Sequence, residues 1–191
     1  MSVSDSSSIK IVNNFMDTAV LAGWLNTRAN WSYGIYSGLL GDSHPSWHAH
    51  LCGGKDPHDK ALHDLVLDAT PGLEPLNSLW QSIKEEFAPD YGVTRVYTNG
   101  HTYGLEGAIH RYAKPSDREL VALLYLNSEW NDAWAGEMVF YDPARECISV
   151  RPRPGRLLVF DGAISRASRP PSKDCPTLCT TLVFHMRRSH K

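Results

Sequence analysis

The chain has no long apolar run. Nowhere do 18 consecutive residues read as a membrane-crossing helix, which speaks against a transmembrane role. It has no excess of one charge either. Nineteen basic and 21 acidic side chains give a net charge of -2, so nothing marks the chain for nucleic acid or an anionic membrane. Cysteine is sparse. Cys52, Cys147, Cys175 and Cys179 form no C-x-x-C pair. The opening M-S-V-S-D-S-S-S lacks a hydrophobic run. The expected compartment is therefore the cytoplasm, with the thiols reduced. Internal repeats and a clear linker are also missing. A single domain is expected over residues 9–186, between a disordered tail, 1–8, and a basic tail, 187–191.

Aromatic residues, by contrast, are plentiful. Six tryptophans and eight tyrosines, many beside glycines, favour a β-rich domain with a cavity and a small-molecule ligand. Residues 9–12 read as a short strand. Asn13 or Asn14 is placed to cap a helix reaching about Asn26, with Phe15, Val20, Leu21, Trp24 and Leu25 on its buried face. Residues 31–36 alternate aromatics and read as another strand. Residues 40–63 read as a polar, lid-like loop carrying His44, His48, His50, His58 and His63, whose spacing is not that of a zinc site. Residues 73–87 form an amphipathic helix, with Leu76, Leu79, Trp80, Ile83 and Phe87 on one face and Pro89 as a stop.

From Thr94 onward the pattern is all β. Strands are expected at 120–127, 137–141, 147–150, 156–161 and 177–186, with a proline-rich polar loop over 166–176. About eight short strands after two helices predict a mostly β protein with N-terminal helices, folded as a double-stranded β-helix, that is, a jelly-roll barrel. Residues 95–112, R-V-Y-T-N-G-H-T-Y-G-L-E-G-A-I-H-R-Y, form its chemical centre. They read as a strand, a glycine-rich turn and a second strand carrying His110.

Four phrases carry a resemblance. They are R-V-Y-T-N-G-H-T-Y-G-L-E-G-A-I-H (95–110), L-L-Y-L-N-S-E-W-N-D-A-W-A-G-E-M-V-F-Y-D (123–142), R-P-G-R-L-L-V-F-D-G (153–162) and C-P-T-L-C-T-T-L-V-F (175–184). In this order they resemble the prolyl-4-hydroxylase-type branch of the 2-oxoglutarate/Fe(II)-dependent oxygenases. The resemblance implies a His-x-Asp pair and a distant His that hold Fe(II), and an arginine on the last strand that clamps 2-oxoglutarate. At those positions this chain has His110, Tyr112, Arg166 (Ser165 if the register slips by one) and Cys179.

An arginine at a metal position is a permanent cation where a dication would sit. The expectation is therefore no metal and no cofactor. Two readings follow. In one, His110, Tyr112 and Arg166 serve a redox-neutral enzyme as acid/base, proton donor and fixed cation, for cyclisation, isomerisation or elimination of an acidic or carbonyl-containing metabolite. In the other the chain is a non-catalytic ligand-binding protein, with Tyr112 plugging the cavity and Arg166 paired with Glu106 or Asp161. An open, solvent-connected cavity holding these side chains favours catalysis or ligand binding, and a filled one favours a pseudoenzyme. A further alternative keeps Fe(II) and 2-oxoglutarate with unusual ligands such as Tyr112 and His101. Tyr97, Asn99, His101, Tyr103, Tyr125 and Cys179 are the expected ligand-binding residues.

Overall fold

The computed structural model describes residues 3–6, 9–35, 44–56, 59–141 and 147–189. Its elements in chain order are β1 (Val3–Ser6), β2 (Ile9–Val12), α1 (Ala19–Arg28), β3 (Ser32–Gly34), β4 (Ser46–Gly53), α2 (Asp64–Ala69), α3 (Glu74–Phe87) and β5 (Tyr91–His101). Then follow β6 (Glu119–Tyr125), β7 (Met138–Tyr141), β8 (Ile148–Val150), β9 (Leu157–Asp161), β10 (Ser165–Ser168) and β11 (Cys179–Arg188). An eight-stranded sheet in the order β1-β2-β9-β6-β11-β5-β4-β3 faces a three-stranded sheet, β10-β7-β8, and every pairing is antiparallel. The expected mostly β jelly-roll architecture, with helices on its N-terminal side, is thus what the chain forms. No helix among the described residues is long and apolar enough to cross a membrane.

The large sheet is buried on both faces, and strand alternation decides which side chain goes where. On β11, Leu182, Phe184 and Met186 point outward to a core shared with Leu76, Leu79, Trp80 and Ile83 of α3. Cys179 and Val183 point inward, to a second core between the sheets that holds Tyr97, Tyr112, Tyr125, Phe140 and Phe160. The first core seals the outside of the large sheet. The second is where the interior chemistry lies. α3 is held by its apolar stripe and by Asp64, which accepts hydrogen bonds from Trp80 Nε1 (2.9 Å), Lys84 Nζ (3.0 Å) and the Val93 amide (3.0 Å).

Several local expectations are corrected. The helix does not begin at Asn13 or Asn14. The Asn13 side chain accepts a hydrogen bond from Arg156 Nε (2.7 Å), and Asn14 adopts a left-handed turn at φ 52°. The Phe15 amide bonds Gly155 O (2.8 Å), so the chain is tied to the barrel until Asp17 Oδ1 accepts from the Ala19 amide (2.9 Å). Val20 is then 76% exposed rather than buried. Much of the expected lid-like loop is strand β4, in register with β5, and a bulge between His50 and Cys52 breaks the alternation that would have revealed it. Of its histidines, His58 lies outside the described residues. His48 and His50 bond the carbonyls of Ser46 and Gly53, both at 3.1 Å. No group of three His, Cys, Asp or Glu able to hold a metal occurs among the described residues.

The ends differ as well. Val3–Ser6 of the expected disordered tail pairs with β2. Arg187 and Arg188 of the expected basic tail continue β11, and the Ser189 amide reaches Asp90 O (2.8 Å). The polar loop expected from residue 166 begins instead as β10, because its backbone pairs with β7.

Candidate functional site

Between β5 and β6 the chain runs antiparallel to the segment that becomes β10. The Gly107 amide donates to Ser168 O (2.9 Å), and the amides of Tyr112 and Ala113 donate to Gly162 O (2.9 and 3.0 Å). Midway, His110 and Arg166 form a reciprocal bridge, each amide donating to the other's carbonyl at 3.0 Å. His110 therefore sits on an isolated bridge and not on a full strand. Main-chain pairing brings His110, Tyr112 and Arg166 together.

Arg166 is 2% exposed and lies inside the barrel. Its guanidinium carbon is 3.7 Å from the Tyr112 ring centre and 5.8 Å from that of Phe160. Its Nη1 contacts Met138 Sδ at 3.8 Å. A guanidinium face-on to an aromatic ring, away from water, is stabilised by about 2 kcal/mol. Tyr112 is fixed from the other side too. The His185 ring meets it edge-on at 4.1 Å, and its hydroxyl accepts a hydrogen bond from Tyr97 Oη at 2.9 Å. Tyr97 Oη in turn lies 3.1 Å from His185 Nε2. With the Tyr97 proton directed at Tyr112, His185 Nε2–H is the donor in that contact. Burial, followed by the charges of Arg95 and Arg166, holds the His185 pKa well below its usual value, so the ring is neutral.

His110 is 8% exposed and edge-on to Tyr112 at 5.6 Å. Its Nδ1 lies 2.8 Å from Ala108 O. A carbonyl can only accept, so Nδ1 carries the proton and Nε2 is the basic nitrogen. Deeper in, Arg95 is buried, 5.2 Å from the Tyr97 ring centre. Tyr112, His185, Thr94, Arg95 and Glu119, together with the exposed Asp56 and Asp59 and the half-buried Lys60, line a void of about 10 Å³, room for about one water. The buried carboxylate of Glu119 is paired with Lys60 at 2.6 Å. Tyr112 is therefore packed against Arg166 and His185.

The comparisons with known proteins fit this architecture. The model for the 2OG-Fe(II) oxygenase superfamily matches residues 92–185, which run from the start of β5 to His185 on β11. Solved structures extend the likeness in fold to nearly the whole chain. A 2OG-Fe(II) oxygenase family oxidoreductase from Burkholderia pseudomallei has a TM-score of 0.71 at 18% identity, covering 97% of this chain and 87% of that one. A prolyl hydroxylase from Trichoplax adhaerens, solved with a hypoxia inducible factor peptide fragment, has 0.66 at 17%, covering 96% and 84%. A Pseudomonas putida prolyl-4-hydroxylase has 0.64 at 17%, covering 97% and 95%. No curated protein matches the chain in sequence.

Of the positions that the resemblance assigns to the superfamily's chemistry, Tyr112 and Arg166 meet directly and His110 borders them. Cys179 is buried in the inner core, where burial pushes its thiol pKa up to about 12. It stays a neutral thiol, with no charge to offer a carboxylate. Tyr125 shares that core, and burial pushes its phenol well above the usual range. His101 pairs in register with Cys179, and its Nδ1 bonds Leu105 O at 3.2 Å. Asn99 is half-buried and pairs with Thr181. Tyr103 is 68% exposed and makes none of the inner contacts. Of the acids expected to pair with Arg166, Glu106 lies 3.8 Å from Arg169, and Asp161 accepts from the Ala163 amide (2.8 Å). Sequence reasoning missed His185. The signal was there, since period-two alternation from Cys179 through Val183 puts His185 on the inner face.

Proposed function

We propose that this chain works without iron and without 2-oxoglutarate, as a ligand-binding protein on the oxygenase scaffold. The observation that carries this reading is the Arg166 guanidinium seated 3.7 Å above the Tyr112 ring. These residues do not fit Fe(II). His110 is the one conventional ligand of the three. Tyr112 would have to lose its proton while its oxygen is held by Tyr97. A cation about 4 Å from a dication costs roughly 8 kcal/mol at an effective permittivity of 20, which outweighs millimolar binding at ~4 kcal/mol. The neutral Cys179 thiol does not fit the distal carboxylate of 2-oxoglutarate either.

On this reading Arg166 is a fixed positive charge, suited to a small ligand with a carboxylate or an enolisable carbonyl group. Tyr112 is the floor beneath that cation, and its hydroxyl belongs to the pair with Tyr97. A second reading, a redox-neutral enzyme for cyclisation, isomerisation or elimination, is favoured by one observation. Ala108 O lies within hydrogen-bond distance of His110 Nδ1 and so fixes the tautomer of a histidine that borders the Tyr112–Arg166 pair. The filled ring stack favours a non-catalytic protein over turnover.

The test is metal analysis after anaerobic Fe(II) loading, with 2-oxoglutarate decarboxylation followed in parallel. Substoichiometric iron and no succinate are expected. One equivalent of iron, lost in His110→Ala, would refute the reading and return the chain to the oxygenases with unusual ligands. The triple change Tyr112→Asp, Arg166→His, Cys179→Arg should restore metal binding more readily than turnover. Small molecules that co-purify with the wild type, and are absent from Arg166→Ala, would identify the ligand.

A further inference from the structure

On the outside of the barrel, away from the His110–Arg166 bridge, α1 and α3 flank a groove of about 870 Å³. Phe15, Leu21 and Leu79 form its floor, and the exposed Val20 stands on its lip. Among the described residues, glutamates are its only charged lining residues. Glu74 opens α3, while Glu85 and Glu86 lie in its last turn. Eleven residues of α-helix separate Glu74 from Glu85, a rise of roughly 16 Å. The groove thus has an apolar middle with an acidic group at each end of its α3 wall. The Glu74 carboxylate is already oriented, accepting from the Gly72 amide at 3.0 Å.

We propose that this groove docks a basic amphipathic helix of a partner protein. Such a helix would be about three turns long, with its apolar face on Phe15, Val20 and Leu21 and a Lys or Arg near each end. Charge complementarity selects this occupant. A second copy of the chain would have to offer a basic apolar helix. α3 carries the acids itself, and α1 supplies only Arg28, in its last turn. An acidic helix would set like charge against Glu85 and Glu86, whereas Glu74 already has Arg28 of the same chain nearby. The inference uses no residue of the Arg166 site, so it stands or falls independently of the ligand-binding reading.

The test uses the whole chain and a fluorescein-labelled Leu/Ala helix of about 14 residues with Lys-Arg at each end. Polarisation should rise saturably, and the same peptide ending in Glu-Glu should not bind. Val20→Asp and the double change Glu85→Lys, Glu86→Lys lie at exposed positions and should each weaken binding about tenfold with circular dichroism unchanged. Equal binding of the two peptides, or binding insensitive to both variants, overturns the proposal. So does a concentration-dependent dimer in sedimentation that Val20→Asp abolishes, because the groove would then belong to a second copy.

Discussion

His185 should make the fold acid-labile well above the range in which carboxylates titrate. The ring is buried, and burial together with Arg95 and Arg166 holds its folded pKa well below 6.5. The unfolded chain therefore takes up a proton that the folded chain refuses. Stability is complete above about pH 6.5 and declines as pH falls below it, until the folded pKa is reached. The slope approaches ~1.4 kcal/mol per pH unit. Between pH 7.5 and 5.0 this amounts to about 2 kcal/mol, or roughly 4–8 °C in Tm for a chain of this length. The half-buried His50 is lowered for the same first reason and adds in the same direction, so the wild-type slope alone does not isolate His185. His185→Phe keeps an aromatic edge against Tyr112 and removes the titration. Urea unfolding of both proteins at pH 7.5, 6.5, 5.5 and 5.0 makes the comparison. The stability of the wild type relative to His185→Phe should fall by about 2 kcal/mol on acidification, whatever the offset at pH 7.5. Parallel curves would mean that His185 titrates alike in both states, and the buried neutral ring described above would be wrong.

Two further outcomes concern the same cluster. Tyr112→Phe removes the acceptor of the Tyr97 hydroxyl and should cost about 1–2 kcal/mol in chemical denaturation, whereas Tyr97→Phe also strands His185 Nε2–H and should cost more. The double variant should lie close to Tyr97→Phe alone, and simple additivity would refute the chain of contacts. Cys179, buried with its thiol at about 12, should resist iodoacetamide at pH 8 while the exposed Cys147 is labelled, with peptide mass spectrometry as the readout.

Elements with a clean apolar period were legible in the sequence. α3 shows its face at Leu76, Leu79, Trp80 and Ile83, and β6 is an apolar run because the sheet is covered on both sides. The meeting of His110, Tyr112 and Arg166 was implied by the family resemblance, and in the structure one short ladder fixes it. What stayed hidden depended on tertiary partners. β4 hides its period behind histidines and a bulge, and β10 looks polar because Arg166 lies against an aromatic ring. Asn13 looks like a helix cap until Arg156, far along the chain, takes its side chain. The Tyr97–Tyr112–His185 contacts join three separate segments, so no local pattern announces them.

The reciprocal bridge between His110 and Arg166 has an evolutionary implication. Those two hydrogen bonds are made by main-chain atoms, which any residue except proline can supply. The backbone at the heart of the barrel is thus insulated from the identity of the side chains it presents. A lineage can exchange one set of side chains for another here while the strands keep their alignment. Kinship and chemistry are recorded in different atoms of the same ladder.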